Sequence, residues 1–266
     1  MVITCRDKSP GETMTISLYA HRLSQPSRAA EILLRELGIA YDWQEVDFAN
    51  GETREPHFAE QINPFQTIPA LVVSGDDPDF VLGESHAIMR YLCRIAADAG
   101  GDAENAQHWY PGDRDARRSA RIDQWMAWHH NGIRRYDMFH DIMNLHLTLP
   151  MLKYELQSTA LKPLQDGLRS GLATLEAHFE RQPQDTPAAP TLCGDAHPTL
   201  ADLTITCELY QIVAVGYRFD RYPQVAQWLN GMAERDHFKR VSEEVLEQGR
   251  TIREASGDYL ELDAFA

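Results

Sequence analysis

At 266 residues the chain exceeds the usual reach of one hydrophobic core, so two domains sharing an interface are expected. A net charge of −15 argues against a nucleic-acid surface or an anionic membrane face as the working partner, and no apolar run approaches the roughly 18 residues of a membrane span. Four scattered cysteines (Cys5, Cys93, Cys193, Cys207) without a C-x-x-C spacing read as the reduced thiols of a cytoplasmic protein.

Residues 1–14 read as a flexible extension too short in apolar content for a signal peptide, with Met14 an alternative start. An apolar strand at 16–20 gives way to a helix of period 3.6 over 26–37, stopped by Gly38. Residues 41–47 alternate with period 2, as a half-buried strand does. A polar stretch at 50–55 precedes a short helix near 56–61. Two strands at 68–73 and 80–82, joined by an acidic turn, read as a hairpin, and a helix begins near Ser85. The order β-α-β-α-β-β-α over 15–96 predicts a small mixed sheet covered by helices, an α/β domain.

Residues 97–112 read as a linker rich in Ala, Gly and Asp, and beyond it the strand pattern stops. Helical spacing over about 113–146, 150–179, 200–215, 223–234 and 238–254, interrupted by a Pro-rich loop at 183–198, predicts an all-helical domain over 113–266.

Several short motifs carry chemistry. In Ser24-Gln25-Pro26-Ser27-Arg28 a hydroxyl stands at a helix mouth, where N–H groups and the dipole favour an anion. Ser is also a preferred N-cap with Pro in the first turn, so this position reads as cap or as ligand donor. Pro69 heads a buried strand to which it cannot donate, and a cis Ile68–Pro69 bond would free the backbone of Ile68 to pair with an extended ligand. Glu84-Ser85 at the next helix start can cap it or hold an amino-acid head group, Ser85 and the N–H groups taking the carboxylate and Glu84 the ammonium. Thr199-Leu-Ala-Asp202 is a structural capping box. Metal binding is not expected: His129 and His130 are adjacent and point different ways, and His140 and His146 share no face. No dinucleotide, Walker or serine-hydrolase motif occurs.

Taken in register, these motifs resemble the cytosolic glutathione transferases. Ser24–Ala29, Trp109-Tyr-Pro, 120–129 and Ile133-Arg-Arg135 look like the theta class in particular, and Met232–His237 is similar to the final helices of bacterial dichloromethane dehalogenases of theta type. The resemblance spans roughly residues 15 to 250. It implies a thioredoxin-like first domain that binds glutathione, with Ser24 donating a hydrogen bond to the sulfur, and a homodimeric enzyme without a metal. Gln25, Gln66, Thr67, Ile68, Pro69, Glu84 and Ser85 would line the glutathione site. Arg54, rather than Thr53, would face the glycyl carboxylate. His21, Leu23, Trp128 and Arg134, with Arg22, would line the electrophile site between domains, although Arg134 also reads as an interhelix ion pair. Asn131 stands where theta proteins carry an acid, and Gln66-Thr67 where vertebrate members carry a Lys-Lys pair. The implied reaction is thiolate attack on a small electrophile, by conjugation or alkyl-halide dehalogenation. β-Ether cleavage, or a binding protein without turnover, stays open beside it.

Overall fold

The computed structural model describes residues 14–75, 78–134, 158–183, 189–217 and 219–256, and within these the side chains of all but 158–165, 255 and 256. The expectations for residues 1–13, for Tyr136, His140 and His146, and for the start of the helix at 150 lie outside the described residues.

The first strand, β1 (Thr15–Ala20), turns Ile16, Leu18 and Ala20 inward, as its alternation requires. It lies parallel to β2 (Asp42–Glu45) and antiparallel to β3 (Ala70–Ser74), which pairs with β4 (Phe80–Leu82), giving the order β2-β1-β3-β4. Both β2 and β3 are shorter than the sequence pattern implies. After Glu45 only the Val46 N–H still reaches Ala20 (3.0 Å) before Asp47 turns the chain by accepting from the Asn50 backbone (3.1 Å). The ladder of β3 starts at Ala70 because Pro69 has no N–H to give it. The Ile68–Pro69 bond is cis, as expected.

Helix α1 (Gln25–Glu36) ends where Gly38 takes φ 65°, the left-handed value that favours glycine. The short helix expected near 56–61 is a π-helical turn at Phe58–Ile62, preceded by a 3-10 turn at Glu52–Arg54. Helix α2 (Ser85–Ile95) packs Ile88, Met89 and Leu92 beneath the sheet. The segment read as linker contains a further helix, α3 (Ala103–Trp109). The Asp102 carboxylate caps it by accepting from the Glu104 and Asn105 N–H groups (3.0 and 2.9 Å), and Asn105 Nδ2 donates to the Glu36 carbonyl (2.7 Å).

The second domain comprises α4 (Ala116–Gly132), α5 (Ser158–Glu180), α6 (Leu200–Ala214), α7 (Pro223–Ala233) and α8 (Asp236–Ser256). Helix α4 ends at Gly132, well short of the expected 146; residues 133–134 are not helical. Helix α6 is buried on nearly all sides, which places it at the centre. Its capping box is formed: the Thr199 N–H and hydroxyl both donate to Asp202 Oδ2 (2.8 Å each), while Leu192 N–H and Trp228 Nε1 donate to Oδ1 (2.8 and 3.0 Å).

The domains meet where α1 lies against α6 and α8. Arg28, fully buried, crosses this seam. Its Nη1 donates to the Arg22 carbonyl (2.9 Å) and its Nη2 to the Cys207 carbonyl and Gln211 Oε1 (2.8 and 3.1 Å). Burial pushes its pKa down, and the four carbonyl-type contacts are what keep so buried a guanidinium tolerable. Among the described residues no helix is long and apolar enough to cross a membrane, and Cys93, Cys193 and Cys207 form no disulfide.

Candidate active site

Sheet register brings the first-domain motifs to one edge. Ala20 ends β1 four residues before Ser24. The start of β3 lies beside that end because Tyr19 pairs with Ala70, and the end of β4 lies there because Leu71 pairs with Leu82. The parallel strand β2 also runs out at this edge, since Ala20 pairs with Glu45. Ser24, Arg54, Ile68-Pro69 and Glu84-Ser85 therefore all leave the sheet on the same side.

Ser24 occupies the N-cap position of α1 with extended backbone (φ −82°, ψ 122°), but its side chain makes no capping bond. Its Oγ instead accepts a hydrogen bond from Ser27 Oγ (3.0 Å), which leaves the Ser24 proton to be donated elsewhere. The first turn of α1 contains no acidic residue, so the positive end of the dipole is not neutralised locally. The turn itself is clamped from both domains. Its Leu23 carbonyl accepts from Gln211 Nε2 (3.1 Å), and Arg22 is held to the buried Glu31 (3.0 Å).

At the cis-proline side Gln66 and Thr67 are exposed, with Gln66 at φ 56°, while Ile68 is half-buried and Pro69 buried. The organiser of this loop is Asn63, fully buried, to which the sequence alone assigns no role. Its Nδ2 donates to the Thr67 carbonyl (2.7 Å) and its Oδ1 accepts from the Phe65 N–H (3.1 Å). A Cβ on Gly83 would lie 3.0 Å from that same Oδ1, so Asn63 also abuts the residue that precedes Glu84. Glu84 is exposed at φ 63° and Ser85 half-buried; neither side chain is shown capping α2. Arg54 is exposed and Thr53 buried, which favours Arg54 as the residue able to reach a ligand carboxylate.

The four residues expected to line the electrophile site do not share one described cavity. His21 Nδ1 accepts from the Leu23 N–H (3.1 Å), its ring meets Phe48, and it sits 4.0 Å from Glu244 of α8. Beside it, Arg22, Arg240, Glu243, Glu244 and Glu247 line an open, charged cleft of about 340 Å³. Trp128 packs on Trp125 and lines a separate cavity of about 210 Å³ with Asn131, Gly132 and residues of α5. Arg134 Nη1 donates to Glu208 Oε2 (3.1 Å), the interhelix ion pair that its sequence context allowed.

Glu208 is the second residue that the sequence reading misses. It stands on buried α6 and is itself buried, as are Gln25 and His129. Oε1 accepts from Gln25 Nε2 (2.8 Å), and Oε2 receives both Arg134 and His129 Nε2 (3.2 Å). Burial alone would raise its pKa; the adjacent Arg134 and the His129 and Gln25 contacts outweigh that and hold the carboxyl well below its ordinary range. Gln25 is thus drawn toward the second domain. The only signal in the sequence is an acidic residue at an otherwise apolar helical position.

Three comparisons with known proteins agree on the family. Residues 24–95 match the domain described as "Glutathione S-transferase, N-terminal domain" and residues 133–231 match "Glutathione S-transferase, C-terminal domain". Glutathione S-transferase T1 of Arabidopsis thaliana is 32% identical over 86% of this chain and 89% of its own. Glutathione S-transferase theta-1 of Bos taurus is 32% identical over 81% of each chain. Among solved structures, human glutathione transferase theta-2, in a complex with glutathione and an unknown ligand, superposes with a TM-score of 0.71 at 27% identity over 91% of each chain. The apo form of human glutathione-S-transferase T1-1 gives 0.71 at 28% identity, covering 94% of this chain and 100% of that one. The chain belongs to the glutathione S-transferase family, within its theta class.

Proposed function

We propose that this enzyme ionises the thiol of glutathione against Ser24 and directs the thiolate at a small electrophile. The carrying observation is the Ser24 hydroxyl: placed at a cap position yet not capping, it accepts from Ser27 and keeps its own proton for a sulfur anion. A free thiol of pKa near 8.5 is only a few per cent ionised at pH 7, so a preorganised donor and the open helix dipole supply the nucleophile. Ile68 pairs through its backbone with the cysteinyl unit, Glu84 and Ser85 take the γ-glutamyl end, and Arg54 takes the glycyl carboxylate. Gln66 and Thr67 flank that cradle. The reaction needs no metal. In the dehalogenation form the sulfur lone pair makes a C–S bond as the C–halogen bond breaks, the halide leaves with the bonding pair, and no general acid is required.

The electrophile enters from the side of His21, Leu23 and the charged cleft of α8. The working form is a homodimer, as the family resemblance implies, and light scattering tests this. Ultraviolet difference titration of the bound thiol tests the central claim. One charge-assisted hydrogen bond of about 1.5–3 kcal/mol corresponds to roughly 1–2 pKa units. Ser24→Ala should therefore raise the bound thiol's pKa by about that much and lower kcat/KM near pH 7 by at least about tenfold. An unchanged thiol pKa in Ser24→Ala rejects the assignment.

A further inference from the structure

The sequence spacing sets His129 and His130 apart as metal ligands, but it leaves out the first domain. His86, the second residue of α2, completes a triangle with them: ring centroids lie 5.6 Å from His129 and 4.6 Å from His130, with the latter two 5.3 Å apart. One ring nitrogen from each of the three lies within 4.8 Å of the other two. We propose that His86, His129 and His130 form a binding site for a transition-metal dication of the zinc type, bridging α2 and α4 across the domain seam.

Two observations point to a ligand rather than to mere packing. His86 Nε2 and His129 Nδ1 are buried nitrogens without a hydrogen-bond partner, an arrangement that buried polar atoms ordinarily avoid. The opposite nitrogen of His129, Nε2, faces the Glu208 carboxylate at 3.2 Å. In the neutral ring that acceptor fixes the proton on Nε2 and leaves the buried Nδ1 with a lone pair and no donor to satisfy it. Metal-binding histidines are held by carboxylates in this same way.

The donor chemistry selects the ion. Three imidazoles and no oxygen ligand suit zinc, copper, nickel or cobalt and disfavour magnesium or calcium. The nearby cations are already matched, Arg90 by Asp123 (2.8 Å) and Arg134 by Glu208 (3.1 Å). Nitrogens at ~2.0–2.1 Å from a tetrahedral zinc stand about 3.4 Å apart, so closure asks each ring to move by roughly an ångström. The fourth position would hold water. Such an ion would tie the Ser85 helix start to the second domain without entering the transferase step.

The test is titration of the metal-stripped full chain with Co²⁺, followed by displacement with Zn²⁺. One saturable site per chain with tetrahedral visible ligand-field bands is expected, and a Tm rise of about 5–10 °C at a hundredfold excess over Kd. His86→Gln and His130→Gln should each weaken binding by at least about tenfold while metal-free far-UV spectra stay native. His108→Gln, at a separate histidine pair, should leave it intact, as should Ser24→Ala, which keeps this outcome independent of the glutathione assignment. Should either cluster variant fail to fold, Cu²⁺ electron paramagnetic resonance of the wild type reads nitrogen coupling directly. Absence of saturable binding at millimolar Co²⁺, binding indifferent to both cluster variants, or a spectrum without nitrogen coupling overturns the site.

Discussion

Replacing Glu208 by Gln removes one charge from the domain seam while keeping the side-chain volume. The wild-type carboxylate receives Gln25 on one oxygen (2.8 Å) and both His129 and Arg134 on the other (3.2 and 3.1 Å). The introduced amide can still offer its carbonyl to His129 and Arg134, and Gln25 can flip to accept from its NH2. What disappears is charge. Breaking a buried ion pair costs about 3–5 kcal/mol when the orphaned partner stays trapped. Arg134 is 27% exposed and can turn to water, which brings the cost below that scale, to about 2–3 kcal/mol. For a chain of this size that corresponds to a Tm lowered by roughly 4–12 °C. Circular-dichroism melts at pH 7 of wild type, Glu208→Gln, Arg134→Gln and the double variant form the cycle. The double variant should lose less than the sum of the singles, because the same pair is removed twice. A Glu208→Gln melt within about 1 °C of wild type, or strict additivity, would refute the account of α6 as the electrostatic centre of the seam.

Acid should weaken the metal-free protein below pH 6.5. His86 is lowered from 6.5 to about 2 by burial and by His129, His130, Arg90 and Arg134, so between those values the unfolded chain binds the extra proton and stability falls as pH falls, by up to ~1.4 kcal/mol per unit; His86→Gln should flatten the Tm–pH curve between pH 6.5 and 5. Asn63→Ala leaves the Thr67 carbonyl and Phe65 N–H without their partner, and should cost about 1–3 kcal/mol in urea melts and raise KM for glutathione more than it lowers kcat; an unaltered KM would deny that Asn63 positions the proline loop. Asp202→Asn replaces a buried carboxylate that accepts from Thr199, Leu192 and Trp228, so it should destabilise by at least about 2 kcal/mol with the bound-thiol pKa unmoved.

Sequence is most informative where local rules act alone. The Gly38 stop, the Thr199–Asp202 box and the β-α-β-α-β-β-α order each depend on one residue type meeting one backbone requirement, and each stands in the structure. It is least informative where two domains meet. Helix α3 hides in an Ala- and Gly-rich stretch because its docking rests on Asn105 reaching back to Glu36 across 69 residues. Asn63 carries no local signal of its role, which comes from its bonds to Thr67 and Phe65 and from Gly83 lying against it. Trp128 sits on the face of α4 toward Trp125 and α5, a placement that its position beside His129 does not reveal. The family resemblance implies ligand contacts for Arg134 and Gln25, with an interhelix ion pair also open for Arg134. Glu208, the residue that claims them both, is 74 positions from the first and 183 from the second.

That long-range claim bears on the role proposed for Ser24. The turn from His21 to Ser24 holds no fully buried side chain, so its own packing cannot fix it. It is fixed instead by donors brought from elsewhere: Arg28 to the Arg22 and Leu23 carbonyls (2.9 and 3.3 Å), and Gln211 of α6 to the Leu23 carbonyl (3.1 Å). Arg28 in turn needs the Cys207 carbonyl and Gln211 of α6 to keep its guanidinium satisfied in the seam. Stabilising a developing thiolate requires a donor already aimed, because a donor that must reorganise forfeits much of its effect. The aim of the Ser24 hydroxyl is thus set by α6 as much as by α1. If Ser24 acts as proposed, Arg28→Lys or Gln211→Ala should raise the bound-thiol pKa, and an unmoved pKa in both would deny that these seam residues aim the Ser24 hydroxyl.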